Sequence, residues 1–220
     1  MGRYLKLLTP TDEFIIVVVA AFGVPLVINV YVAFLAQDTA PVITEAGLHS
    51  LLIDEPIILL GLAAFLYARD WTLETIGLLP TPRETLLGIG LAFVIAFVTM
   101  AFWLTVTLVG LPRPATPQVV AGPFSPLTII AVSIVNPIFE ESLLSGYVVT
   151  ALQRWTTWQI AVASSIFLRA LCHIYQGFGV IFIVIFGFIL AAWYARYGRL
   201  WPLIVAHVFY DFFPLMAHQG

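Results

Sequence analysis

Long uninterrupted apolar runs, punctuated by short clusters of Pro, Gly, Thr and charged residues, organise this chain from end to end. About 20 consecutive apolar residues carry a helix across the hydrocarbon core of a bilayer. Seven segments reach or approach that length: Phe14 to Ala36, Gly47 to Ala68, Leu86 to Leu111, Pro126 to Val149, Trp158 to Tyr175, Phe178 to Ala195 and Leu200 to Ala217. The runs are continuous and do not alternate with period two, which argues against barrel strands. The pattern therefore predicts an all-α, polytopic membrane helical bundle of about seven transmembrane helices. Asp70 to Thr85 carries two prolines and three acids and reads as an interfacial connector, because those groups are costly in lipid. Pro112 to Ser125, with four prolines, reads as an extended outer loop.

Composition supports this reading. Of 220 residues, 61% are hydrophobic and 10% charged, against roughly 25% charged in soluble domains. With the N-terminus inside, seven bases fall at inner ends: Arg3, Lys6, Arg69, Arg83, Arg154, Arg196 and Arg199. Only Arg113 falls outside, near the acids Asp38 and Glu45 of the first outer loop. One span more or fewer would scramble that bias. The first apolar run continues to Ala36 without a small-residue cleavage site, and reads as a retained span. A net charge of -3 with no basic stripe argues against nucleic-acid binding. The single cysteine, Cys172, excludes an intramolecular disulfide or a thiolate zinc cluster.

Ionisable groups inside spans mark function or pairing. Setting aside those near predicted ends leaves Asp54 and Glu55 in the second span, Glu140 and Glu141 in the fourth, Arg169 and His173 in the fifth, and His207 and Asp211 in the seventh. Arg169 with His173, and His207 with Asp211, are each four apart and share a helix face. Glu140 and Glu141 point about 100° apart. Converging faces would bring histidines, carboxylates and a guanidinium into a partly dry cavity able to hold a water, the parts needed for water-activated amide hydrolysis. Two histidines with carboxylates also form an acceptable zinc set, although no helix carries a His-Glu-x-x-His face. A structural polar network is the alternative; interhelical hydrogen bonds contribute only about 1 kcal/mol each in lipid, so glue alone rarely needs four ionisable groups. Asp54 and Glu55, followed by Pro56, read as a kinked helix end or as pairing groups facing the cavity.

Three strings sharpen this. Asn136-Pro-Ile-Phe-Glu140-Glu141-Ser-Leu-Leu-Ser145-Gly146-Tyr147 resembles the first motif of the CPBP family, the CaaX-prenyl-protease and bacteriocin-processing intramembrane proteases. Ser165-Ile-Phe-Leu-Arg169-Ala-Leu-Cys-His173-Ile-Tyr-Gln-Gly177 resembles the second, and His207 with Asp211, after a Gly-Arg-Leu-Trp-Pro run, the third. The resemblance covers about Pro126 to Phe213. It implies that Glu140 is the general base aided by His173, that His207 and Asp211 stabilise the oxyanion and position the carbonyl, and that Glu141 is a supporting group paired with arginine. It favours a metal-free glutamate mechanism with no cofactor. It also implies a peptide or membrane-anchored protein as substrate; the apolar spans make the lipid bilayer the environment, and the compact chain with short loops reads as a protein of a prokaryotic cytoplasmic membrane. Two positions depart from the family pattern: its Arg after the Glu pair is Ser145 here, and its Phe before the His is Arg169. Together they suggest a relocated arginine, with Arg169 pairing Glu140 or Glu141 from the neighbouring helix. The division expected is 1–125 as three N-terminal helices with connectors and 126–217 as the catalytic core, the cavity lying among the last four spans. A catalytically silent scaffold or immunity protein is the competing class. A proton-coupled transporter fits less well, since inverted repeats are missing.

Overall fold

A computed structural model describes residues 7–35, 42–110 and 119–217. Arg3, Lys6, Asp38 and Arg113, used above to orient the chain, lie outside the described residues. Within them the chain is an all-helical bundle: α1 (Pro10–Leu35), α2 (Glu45–Tyr67), α3 (Pro82–Leu108), α4 (Pro126–Gln153), α5 (Trp158–Cys172), α6 (Val180–Tyr197) and α7 (Trp201–Ala217). Five helical stretches are long and apolar enough to cross a membrane, with α6 counted from Ile174, while α5 and α7 are shorter. A two-residue parallel clip pairs β1 (Val42–Ile43) with β2 (Val119–Val120) on the connections before α2 and before α4.

Threonine and proline set the helix starts. Thr9, Thr44, Thr81 and Thr157 each use the side-chain oxygen to accept a backbone N–H of the first turn of α1, α2, α3 and α5. That satisfies one of the orphan donors at a helix N-terminus. Pro82 and Pro126 sit just inside α3 and α4, where a missing N–H costs nothing. Large apolar side chains such as Val19, Val27, Phe93, Phe97 and Phe188 stay exposed, as lipid-facing positions do. The central element is α4: every residue from Glu141 to Val149 is buried, and α2, α5, α6 and α7 all pack on it. The stretch Glu141–Val149 is π-helical, the kind of bulge often found at functional sites.

The structure corrects several boundaries. α3 begins at Pro82, inside the expected connector. The connector itself is anchored: Trp71 is 5% exposed, and its indole N–H donates to Glu13 Oε1 at 3.0 Å. Gly77 is obligatory there, with φ +65° and a site where a Cβ would lie 1.8 Å from the Gly198 carbonyl oxygen. The fifth helix ends at Cys172 instead of Tyr175, and His173 caps it with φ -118° and ψ 9°. A 3-10 segment, Ile174–Gly179, then turns the chain into α6, with Gly177 at φ 57° and ψ -122°. Asn29 of α1 covers this end by donating to the Cys172 carbonyl.

Two acids set aside as near helix ends are buried. Glu13 accepts from Arg69, from Trp71 and, at 3.2 Å, from the Tyr147 hydroxyl. Glu84 pairs with Arg199. Each joins the first half of the chain to the second.

Candidate active site

Glu140 and Glu141 stand where α4 passes from regular helix into its π stretch. From α5, Arg169 reaches between them: Nη1 donates to Glu140 Oε2 at 2.8 Å and Nη2 to Glu141 Oε1 at 2.6 Å. The guanidinium is 2% exposed, so this charge is held entirely by its carboxylate partners. Gly187 of α6 makes the room, since a Cβ there would sit 3.0 Å from Arg169 Cδ. Phe186 lies under the guanidinium, with Cζ 5.4 Å from the ring centroid.

The two carboxylates are held very differently. Glu141 is 0% exposed and tied on both oxygens. Oε1 accepts from Arg169 and from His207 Nδ1 at 2.8 Å, and Oε2 accepts from the Ser145 hydroxyl at 2.6 Å. Glu140 keeps 13% of its side chain exposed, and among the described residues its carboxylate accepts one hydrogen bond, from Arg169 to Oε2. Its second oxygen is free to meet a small molecule. Ser145, where the resemblance expects an arginine, is one of the donors to Glu141.

His207 packs edge-on against Phe186, ring centroids 4.7 Å apart. Its Nε2 lies 3.5 Å from Asp211 Oδ1, at the outer limit of a hydrogen bond. His173 is half-buried at the end of α5. Its Nδ1 contacts the Arg169 carbonyl oxygen at 2.9 Å; a carbonyl only accepts, so Nδ1 carries the proton and Nε2 presents a lone pair. Among the residues singled out in the sequence, Glu140, Glu141, Arg169 and His207 are in direct contact, Asp211 joins through His207, and His173 joins through the Arg169 backbone. Glu55 is buried and bonded to Asn136 at 2.9 Å, whereas Asp54 on the same turn is exposed.

Glu140, Glu141 and His207 each offer a ligand atom, all within 4.8 Å of one another. A divalent ion fits this donor set poorly. One oxygen of each carboxylate already accepts from the Arg169 guanidinium, and His207 Nδ1 is spent as a donor to Glu141. A cation held by those same atoms would displace the guanidinium and stand against its buried charge.

Sequence reasoning passed over Gly187, whose absent side chain admits Arg169, and Asn136, which it quoted in the first motif without a role. A small residue opposite a buried arginine, and an amide one turn before the acid pair, were the available signals.

Residues 122–213 match the family described as Rce1-like, type II CAAX prenyl endopeptidase Rce1-like. The match spans all three motifs and agrees with the CPBP resemblance they carry. No curated protein and no solved structure gives a match.

Proposed function

From the type II CAAX prenyl endopeptidase match over residues 122–213, we propose that this membrane protein is an intramembrane endopeptidase that hydrolyses a peptide bond with a glutamate-activated water. The observation that carries the proposal is the division of labour in the acid pair. Glu141 is consumed by three donors, while Glu140 is held in place by one and left with an open oxygen.

The reaction runs as follows. A water between the free oxygen of Glu140 and Nε2 of His173 gives its proton to Glu140, and its oxygen adds to the scissile carbonyl carbon. The carbonyl becomes an oxyanion. His207, anchored through Nδ1 to Glu141, meets that oxyanion with its Nε2 edge, which Asp211 holds only loosely. The tetrahedral centre then collapses, the C–N bond breaks, and the proton stored on Glu140 passes to the departing amine. Arg169 and Ser145 are positioning residues that fix the two carboxylates. An apolar groove of about 580 Å³ between α3 and α7, lined by Phe93, Ala96, Met100, Ala206, Phe209 and Tyr210, lies on the helix that carries His207 and Asp211 and suits a substrate segment arriving through lipid. The arginines at inner helix ends support an N-terminus inside a prokaryotic cytoplasmic membrane.

The test is mass-spectrometric identification of fragments from a pool of peptides and membrane-extract proteins. Wild type is run beside Glu140→Gln, both checked for folding. Cuts present in wild type and absent in the variant support hydrolysis. Their absence from both shifts the reading to a silent scaffold, and the Ser145 and Arg169 departures would then mark lost catalysis.

A further inference from the structure

Glu55 lies outside residues 122–213 and outside the machinery described above. It sits mid-way along α2 and is 6% exposed. Oε1 accepts one hydrogen bond, from the neutral amide of Asn136 at 2.9 Å. Oε2 is enclosed and has no partner among the described residues. Asn136 precedes Glu140 by four residues on α4, so Glu55 is held on the face that carries Glu140, about one helical turn (~5.4 Å) away. The carboxyl is within electrostatic reach of Glu140, Asp211 and His207.

Charge in this space does not balance. Among the described residues four carboxyl groups, Glu55, Glu140, Glu141 and Asp211, lie around the guanidinium of Arg169 and the imidazole of His207; the guanidinium is already committed to Glu140 and Glu141, and His207 to Glu141 and Asp211. Asp211 has His207 at 3.5 Å, with 21% of its side chain exposed. An enclosed carboxyl served by one amide is costly. Glutamine would fill the same volume without the charge. The structure thus leaves buried acceptor capacity on Glu55 beyond what Asn136 satisfies.

We propose that Glu55, with Asp211 beside it, forms a subsite for a cationic group of the substrate, the ammonium of a lysine or the guanidinium of an arginine next to the scissile bond. This rests on the endopeptidase reading. An extended chain advances about 3.3–3.6 Å per residue, so a subsite one turn from Glu140 receives the side chain of a residue one or two positions from the cut. Either cation brings several N–H donors able to meet the unpartnered Oε2. Glu55 is then a specificity-determining residue supplied by the N-terminal half of the chain.

The experiment uses the full chain in detergent and a peptide library in which each lysine is matched by acetyl-lysine and each arginine by citrulline. Fragments are mapped for wild type, Glu55→Gln and Glu55→Asp. Binding of the same matched peptides is measured by fluorescence anisotropy in a Glu140→Gln background, with and without Glu55→Gln. Wild type is expected to favour the charged peptide of each pair by about tenfold or more, the scale of a charge-assisted hydrogen bond. Glu55→Gln is expected to erase that ratio and Glu55→Asp to keep part of it. Equal handling of charged and neutral peptides by wild type overturns the subsite without recourse to any variant, as does a preference that survives Glu55→Gln. Cuts without charge preference would leave the endopeptidase reading standing alone. A Glu55-dependent binding preference with no cuts would leave the subsite standing and remove hydrolysis.

Discussion

The arginine that bridges the acid pair can be moved, and moving it tests the logic of the site. Ser145 stands four residues after Glu141 and donates to it, while Arg169 reaches the same carboxylate from α5. Arg169→Phe removes two charged hydrogen bonds, at 2.8 and 2.6 Å, from a guanidinium that is 2% exposed. Breaking one partner out of a buried ion pair costs about 3–5 kcal/mol. A Coulomb estimate of about 4 kcal/mol for unit charges 4 Å apart at an effective dielectric of 20 agrees. With roughly 2–4 °C of Tm per kcal/mol for a chain of this size, the single variant should melt about 6–20 °C lower. Ser145→Arg alone forces a second guanidinium into a fully buried position and should lose about 1–3 kcal/mol by overpacking. Combining the two restores one arginine to the pair and places a phenylalanine beside Gly187, so most of the loss should return, with a coupling of about 2 kcal/mol. Thermal unfolding in detergent reads all four corners of the cycle, and peptide cleavage reads whether Glu140 is held in register. An Arg169→Phe protein that melts with wild type, or a double variant no better than its worse parent, would refute the claim that a single relocated arginine holds both carboxylates.

Other expectations follow from neighbouring contacts. Gly187→Ala puts a Cβ 3.0 Å from Arg169 Cδ; stability should fall by about 1–3 kcal/mol, with the loss in kcat exceeding any change in KM. Gly77→Ala combines a left-handed φ of +65° with a 1.8 Å approach to the Gly198 carbonyl. It should cost roughly 2–5 kcal/mol, seen as poor recovery of monodisperse protein, and normal yield and Tm would contradict the docking of the connector on the α6–α7 turn. Extended treatment with a strong chelator should leave cleavage unchanged; loss of activity restored by a divalent metal would reverse the argument that Arg169 occupies the place of an ion.

The spans were legible because continuous apolar runs admit one reading in a bilayer. The contact of Glu140, Glu141, Arg169 and His207 was legible because three spaced motifs fall on helices that must face one another. Composition carries less about where a helix stops. Nothing in Leu171 to Tyr175 marks Cys172 as the last residue of α5; the break comes with Gly177, three residues before α6 begins at Val180, and with the cap that Asn29 provides from α1. The π stretch was invisible, since its residues would suit an α-helix equally well. Glu13 and Glu84 were passed over because acids near helix ends are ordinarily solvated. Their partners lie 56 and 115 residues away in sequence, a separation no local pattern encodes. Glu55 had two open readings, and only the fold distinguishes its buried side from the exposed side of Asp54.

The three donors on Glu13 also impose a timetable on biosynthesis. A ribosome adds about 5–20 residues per second, so α1 enters the membrane with its carboxylate unmet until Arg69 and Trp71 follow. Tyr147, 134 residues later, arrives after roughly 7–27 seconds. Glu141 waits in the same way for Arg169, 28 residues on, and for His207, 66 residues on. A chain stopped before α7 therefore holds acid groups in lipid with part of their donor set missing. The pairing of Glu141 is thus completed only when α7 brings His207 to it.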